Sequence, residues 1–222
     1  MTAAQVHLIG HERQPVIVID DLVPEPQSLI DEAALLQYTQ IGPHYPGIRA
    51  SVPAARVRSF LEPLVDLMRS TFECGAQIQV LEAYYSLVTT RPAALRPIQR
   101  LPHFDGVERE RLALLHFLST DEASGTAFYR HRSTGFESVD AARYPRFAAA
   151  VERDAVLLGL PEPAYIGGDT ALYEQIASFD GRFNRMLAYR GHALHCALLP
   201  DTLSFSADPR HGRLTVNTFL MG

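Results

Sequence analysis

The spacing of apolar and polar positions changes character once along this chain. Up to residue 77 most of it is helical: residues 28–41 place Leu29, Ala33, Leu36 and Gln40 at helical spacing, which predicts a first helix after Pro24 and Pro26. Residues 53–72 predict a second, kinked or split at Pro63 because proline removes an intrahelical donor. A β-branched run at 16–19 reads as a strand, and residues 42–47, rich in Pro and Gly, read as a loop. From residue 78 the texture turns to short strands, at 78–89, 111–119, 125–131, 185–189, 193–199 and 213–221. Between them, residues 140–158 put Ala148, Val151, Ala155 and Leu158 on one helical face.

This pattern predicts a mostly β protein with flanking helices, its strands forming a sandwich or jelly roll. The length of 222 residues fits one domain spanning 1–222. Within it, 1–77 would be helical support and 78–222 a β core with a helical insert near 138–158.

Composition narrows the function classes. A net charge of −5 with scattered arginines leaves no clustered cationic surface for phosphates, so nucleic acid is not an expected partner. No apolar stretch reaches the roughly 20 residues needed to span a bilayer. The first 13 residues lack the basic-then-apolar order of a signal peptide, so the default location is the cytoplasm. Cys74 and Cys196 lack the close pairing of a zinc knuckle, and a disulfide between them has no other support.

The candidate chemistry begins at Leu101-Pro102-His103-Phe104-Asp105-Gly106. On an extended backbone His103 and Asp105 point to one face. Together they supply an imidazole and a carboxylate, two of the three ligands of a 2-His-1-carboxylate metal site. By itself the triplet is equally a polar loop after a strand. The run from Asn184 to Ala197 delivers two more histidines, His192 and His195. Their offset of three means that an extended backbone cannot aim both inward. His195, inside the apolar run, is the favoured ligand, and His192 the alternative. In the last strand Arg213, Thr215, Asn217 and Phe219 share a face. An inward arginine is costly without an anion, and a bidentate carboxylate is its natural partner, as is an internal salt bridge. Tyr129, in Gly125-Thr126-Ala127-Phe128-Tyr129-Arg130-His131-Arg132, either donates to a bound cosubstrate or fills the core, with packing the stronger reading. The loop containing Tyr45 and Arg49 is either an ordinary turn or a cover over substrate.

In order, His103-x-Asp105, a distant His195 and Arg213-x-Thr215 resemble the Fe(II)/2-oxoglutarate-dependent dioxygenase superfamily. The likeness covers roughly residues 78–222. The layout looks most like the prolyl-hydroxylase-like branch, and like a bacterial subgroup without an established substrate, for which residues 125–132 would be characteristic. The resemblance implies a double-stranded β-helix, a cupin-like jelly roll, with Fe(II) on His103, Asp105 and His195. It implies 2-oxoglutarate on Arg213, assisted by Thr215 and Tyr129, and hydroxylation of a small molecule or peptide side chain. Related halogenases carry a small residue where Asp105 stands, so halogenation is disfavoured. Three rivals remain. A non-catalytic cupin-like binding module has no evident need for a buried Arg213, and a degenerate oxygenase serving as an interaction domain has no need for the full ligand set. Zinc hydrolysis lacks an obvious glutamate base. The helices at 28–41 and 53–72 offer a face for a homodimer.

Overall fold

Strand β2 (Gln14–Ile19) shows how this sequence builds its core. Its Ile17 and Ile19 side chains join an apolar cluster with the N-terminal helices, whereas Val16 and Val18 face the opposite way, toward Phe128. A continuous apolar run is what a strand buried on both faces requires. The structure, a computed structural model, describes residues 4–75, 77–119 and 124–222. Residues 1–3 of the N-terminal stretch read for a leader lie outside the described residues.

Strand β1 (Gln5–Ile9) forms a hairpin with β2, and α1 (Pro26–Ala33) follows. Strand β3 (Gly47–Ser51), α2 (Ala54–Leu61) and α3 (Val65–Phe72) complete the N-terminal third. The chain continues through β4 (Gln79–Val88), β5 (Arg111–Phe117), β6 (Gly125–His131), α4 (Tyr144–Leu158) and β7 (Tyr173–Asp180). It ends with β8 (Met186–Arg190), β9 (His195–Leu198) and β10 (Leu214–Met221). Among the described residues, seven strands make one sheet in the order β1-β2-β8-β5-β10-β4-β3, and three make a second, β7-β6-β9. Every pairing is antiparallel.

The large sheet is thus buried on both sides. Leu112, Leu114, Leu214, Val216 and Leu220 pack under α1–α3, while Ala113, Leu115, Phe117, Leu187 and Tyr189 meet the small sheet. Each fully buried Leu or Val contributes roughly 1.5–3 kcal/mol, so these layers carry the fold. This is the mostly β, jelly-roll architecture with flanking helices expected from the sequence. Among the described residues no helix is long and apolar enough to cross a membrane. Cys74 and Cys196 are both free.

The N-terminal third holds more strand than the one expected at 16–19, because β1 and β3 join the large sheet beside β2. The first helix ends at Ala33 rather than running to residue 41, leaving Leu35 85% exposed. Thr39 instead pairs with Arg49, exchanging backbone hydrogen bonds of 2.9 and 2.8 Å. The second helix splits as expected, with a 3-10 turn at Glu62–Leu64 that contains Pro63.

One buried carboxylate ties the first hairpin to the small sheet. Glu137, 2% exposed, accepts backbone N–H bonds from His11 (3.0 Å) and Glu12 (2.9 Å) and the Nε–H of Arg130 (2.8 Å). Burial pushes its carboxyl up, but these donors and the Arg130 charge outweigh it and hold the pKa below the usual value. Glu137→Ala should cost about 2–4 kcal/mol in urea denaturation, because it leaves two backbone N–H groups unsatisfied and Arg130 with Glu174 alone. A depressed pKa contributes stability that is present above the ordinary glutamate range and is lost as pH falls through the folded-state value. The deficit of a Glu137→Gln variant should therefore narrow as the solution is acidified.

Candidate functional site

Backbone pairing brings the first three candidates together. His103 and His195 exchange two backbone hydrogen bonds, each 2.8 Å, and the Asp105 N–H donates to the Gly191 carbonyl at 2.7 Å. This register lays residues 103–105 along the edge of β9, so side chains two apart face the same way. The His103 and His195 rings lie 4.4 Å apart between centroids. His103 Nε2 is 3.8 Å from Asp105 Oδ1, and His195 Nε2 is 3.5 Å from Asp105 Oδ2. One ligand atom from each residue lies within 4.8 Å of the others.

The hydrogen bonding around these groups favours metal-binding forms. His195 Nδ1 lies 2.9 Å from the Ala193 carbonyl, which can only accept. A proton on Nδ1 makes this bond, and in the neutral imidazole the Nε2 lone pair then faces Asp105. Desolvation in the crowded pocket wall, then the His195, Arg49 and His44 charges, hold the His103 pKa well below its ordinary value. Its side chain is still 55% accessible, so it can be reached from the cavity as a neutral imidazole. Burial pushes the Asp105 carboxyl up, against the pull of His195, Arg49 and Arg111.

His192 is also buried, but it stands outside this cluster. Burial and the nearby Arg190 charge push its pKa down, and Arg109 and Asp140 also lie near it. His192→Ala should leave Fe(II) affinity within about twofold in anaerobic calorimetry, whereas loss of an orienting partner of a metal ligand costs about 10–100-fold.

Arg213, 3% exposed, lines the same cavity from the start of β10. Its Nη2 donates to the Gly125 carbonyl at 3.0 Å, and its guanidinium carbon is 5.5 Å from the Phe117 ring centre. Asn217 and Phe219 continue the wall, while Leu214, Val216 and Leu220 turn to the helices or the core beneath them. Thr215 is fully buried between Phe117 and Ser86 of the neighbouring strands, outside the cavity wall, and donates its hydroxyl to Asn217 Oδ1 at 2.7 Å.

Tyr129 also lies outside the wall. It is fully buried with Ala127, Tyr173 and Leu194, and its hydroxyl donates to Gln175 Oε1 at 3.4 Å. From β6 it is Thr126 that lines the cavity. Tyr129→Phe should cost about 1 kcal/mol or less in stability and leave cosubstrate affinity unchanged.

The cavity measures about 670 Å³, with walls including Leu101, Phe104, Tyr144, Phe147 and Ile166. The feature that sequence reasoning left unassigned is Arg49, which enters it from β3. A Cβ on Gly47 would stand 1.9 Å from the Leu87 carbonyl, so only glycine lets β3 approach β4 this closely. That approach delivers Arg49 beside Tyr45, in the cavity that the histidines also line.

Residues 1–220 match DUF6445, a family of unknown function. No curated protein sequence matches the chain. Solved structures share the fold at low identity. The HygX structure from Streptomyces hygroscopicus with nickel, 2-oxoglutarate and hygromycin B bound is 13% identical, with a TM-score of 0.52, covering 95% of this chain and 84% of that one. SnoN, a non-heme alpha ketoglutarate dependent epimerase from nogalamycin biosynthesis, is 11% identical with a TM-score of 0.51, covering 95% and 79%. SnoK, a carbocyclase from the same biosynthesis, is 13% identical with a TM-score of 0.51, covering 95% and 81%.

Proposed function

The chain belongs to DUF6445, a family of unknown function, and on that premise we propose from the site itself that it is an Fe(II)- and 2-oxoglutarate-dependent oxygenase. The observation that carries this reading is a two-imidazole, one-carboxylate cluster sharing one cavity with a buried arginine. The donor set fits the metal: its atoms converge within 4.8 Å, His195 presents a bare Nε2, and three ligands leave positions open. When bound, Fe(II) would supply the oxidising chemistry that couples decarboxylation of 2-oxoglutarate, to succinate and carbon dioxide, with oxidation of the substrate.

The chain's own residues hold and orient. His103, Asp105 and His195 fix the metal on one wall. Arg213, kept rigid by its bond to Gly125, offers guanidinium donors to the far carboxylate of 2-oxoglutarate. Asn217, held by Thr215, adds a polar contact beside it. Phe104, Phe147 and Ile166 make part of the cavity wall apolar, and low polarity strengthens charge interactions made inside it. Hydroxylation of a small molecule or a peptide side chain is the simplest outcome, and the helices before the β core fit the prolyl-hydroxylase-like branch. A cytoplasmic location and a homodimer through the N-terminal helices complete the proposal. A cupin-like module that only binds would have no use for the buried Arg213 cation.

Anaerobic titration with Fe(II) and then 2-oxoglutarate tests it. A weak visible charge-transfer band is expected only with both present. Iron binding without that band would end the oxygenase reading.

A further inference from the structure

Arg49 is built into the cavity as a cation that still lacks its anion. Its guanidinium carbon lies 3.8 Å from the Tyr45 ring centre and 5.3 Å from that of Tyr84. Stacking on aromatic faces stabilises the charge but leaves the in-plane N–H donors to be satisfied. The Arg49 Nε is shielded from solvent and has no hydrogen-bond partner among the described residues. No described carboxylate lies within ion-pair distance of it, either. Arg130, by contrast, is paired with Glu137 and Glu174, Arg143 with Glu12, and Arg185 with Asp20. The two acids whose charge reaches Arg49, Asp105 and Glu82, face other partners: Asp105 the two histidines, Glu82 the Tyr84 hydroxyl.

Charge bookkeeping then identifies what is missing, and this step rests on the oxygenase reading. A divalent metal, Asp105, dianionic 2-oxoglutarate and Arg213 sum to zero. Arg49 adds one positive charge in a partly desolvated wall, where an unbalanced charge is costly. Glu152 is exposed on α4 at the rim, where water screens it. The site therefore has room for one further anion. A carboxylate matches the guanidinium fork, and the apolar residues of the same cavity match an apolar body. The volume of about 670 Å³ exceeds what a five-carbon diacid alone needs.

We infer that the primary substrate is a small carboxylic acid with an apolar or aromatic body, its carboxylate held by Arg49 and its body against Phe104, Tyr144 and Phe147. Arg49 on β3 would then hold the substrate in the same cavity as the His103, Asp105 and His195 cluster.

The test is anaerobic calorimetry of the full chain with phenylacetate and its uncharged counterpart phenylacetamide, both with Fe(II) and 2-oxoglutarate and without them. The wild type should prefer the acid by about tenfold or more, as expected for a charge-assisted pair. Arg49→Gln should abolish that preference and Arg49→Lys should retain part of it. Both variants should keep the wild-type Tm and bind 2-oxoglutarate within about twofold of wild type. The proposal is overturned if the acid-to-amide ratio is the same in wild type and Arg49→Gln, or if the wild type shows no acid preference. It is also overturned if Arg49→Gln chiefly loses 2-oxoglutarate, which would assign Arg49 to the cosubstrate. Failure of the oxygenase reading would show differently, as no metal-dependent 2-oxoglutarate binding by the wild type, and the acid preference of the metal-free chain would still decide the role of Arg49.

Discussion

Asp105→Asn should weaken Fe(II) binding by more than about a hundredfold and abolish succinate formation in the purified chain. The reasoning starts from the cluster. Asp105 is the anionic member of the three, with its two oxygens 3.8 Å from His103 Nε2 and 3.5 Å from His195 Nε2. Removing a group that merely orients a ligand costs about 10–100-fold, and the charged ligand itself must matter more. The substitution preserves volume, so the fold should survive it. Stability should even rise slightly without metal. Burial pushes the Asp105 carboxyl up, and a raised pKa means stability that is full at low pH and declines as pH rises through the folded-state value. The asparagine variant escapes that decline. Anaerobic calorimetry for iron and a melting curve for the fold separate the two effects, and wild-type iron affinity in a folded variant would remove Asp105 from the metal site. His195→Ala should lose iron as thoroughly but is less clean. Its ring packs 4.8 Å from Tyr189 and 6.2 Å from Phe128, so truncation also leaves a hole in the core.

The central strands and the histidine pair were legible because their signals are local. Residues 125–131 were read as a strand with the bounds observed, since apolar side chains fill both faces of β6. His103 and Asp105 share a face by the period of an extended chain, the same parity allows only one of His192 and His195 inward, and the apolar run around His195 favoured it. The strands that went unread, β1, β3 and β7, lie at the margins of their sheets. β1 is exposed at four of five positions, and β7 is half-buried along most of its length. Half-covered strands need little apolar content, so propensity and pattern fade together. The first helix was overextended for the opposite reason. Leu36 fitted the helical period, but pairing of Thr39 with Arg49, a contact between separate elements, ended the helix sooner. That long-range pairing also explains why Arg49 was left unassigned. Burial depth was the other unread quantity: neither Thr215 nor Tyr129 lines the cavity.

Arg213→Lys should raise the 2-oxoglutarate Kd by about a hundredfold while leaving Fe(II) affinity within about twofold. The guanidinium is 3% exposed, and one of its nitrogens already serves the Gly125 carbonyl, so the rest of the fork is fixed in direction. A carboxylate meeting that fork gains two charge-assisted hydrogen bonds, each contributing roughly 1.5–3 kcal/mol. Lysine keeps the positive charge, but its single nitrogen cannot bond Gly125 and a carboxylate in the same geometry. The expected loss is therefore one strong bond or somewhat more, short of the full electrostatic attraction. Arg213→Ala should go further, adding an unsatisfied Gly125 carbonyl and a cavity beside Phe117, and should lower Tm as well as affinity. The lysine variant is thus the decisive one, because its charge and much of its volume remain. Its charge-transfer titration should be displaced along the 2-oxoglutarate axis without loss of final amplitude. A curve that overlays the wild type would mean that the cosubstrate carboxylate is held elsewhere, and the buried Arg213 would then be a structural cation bound to Gly125.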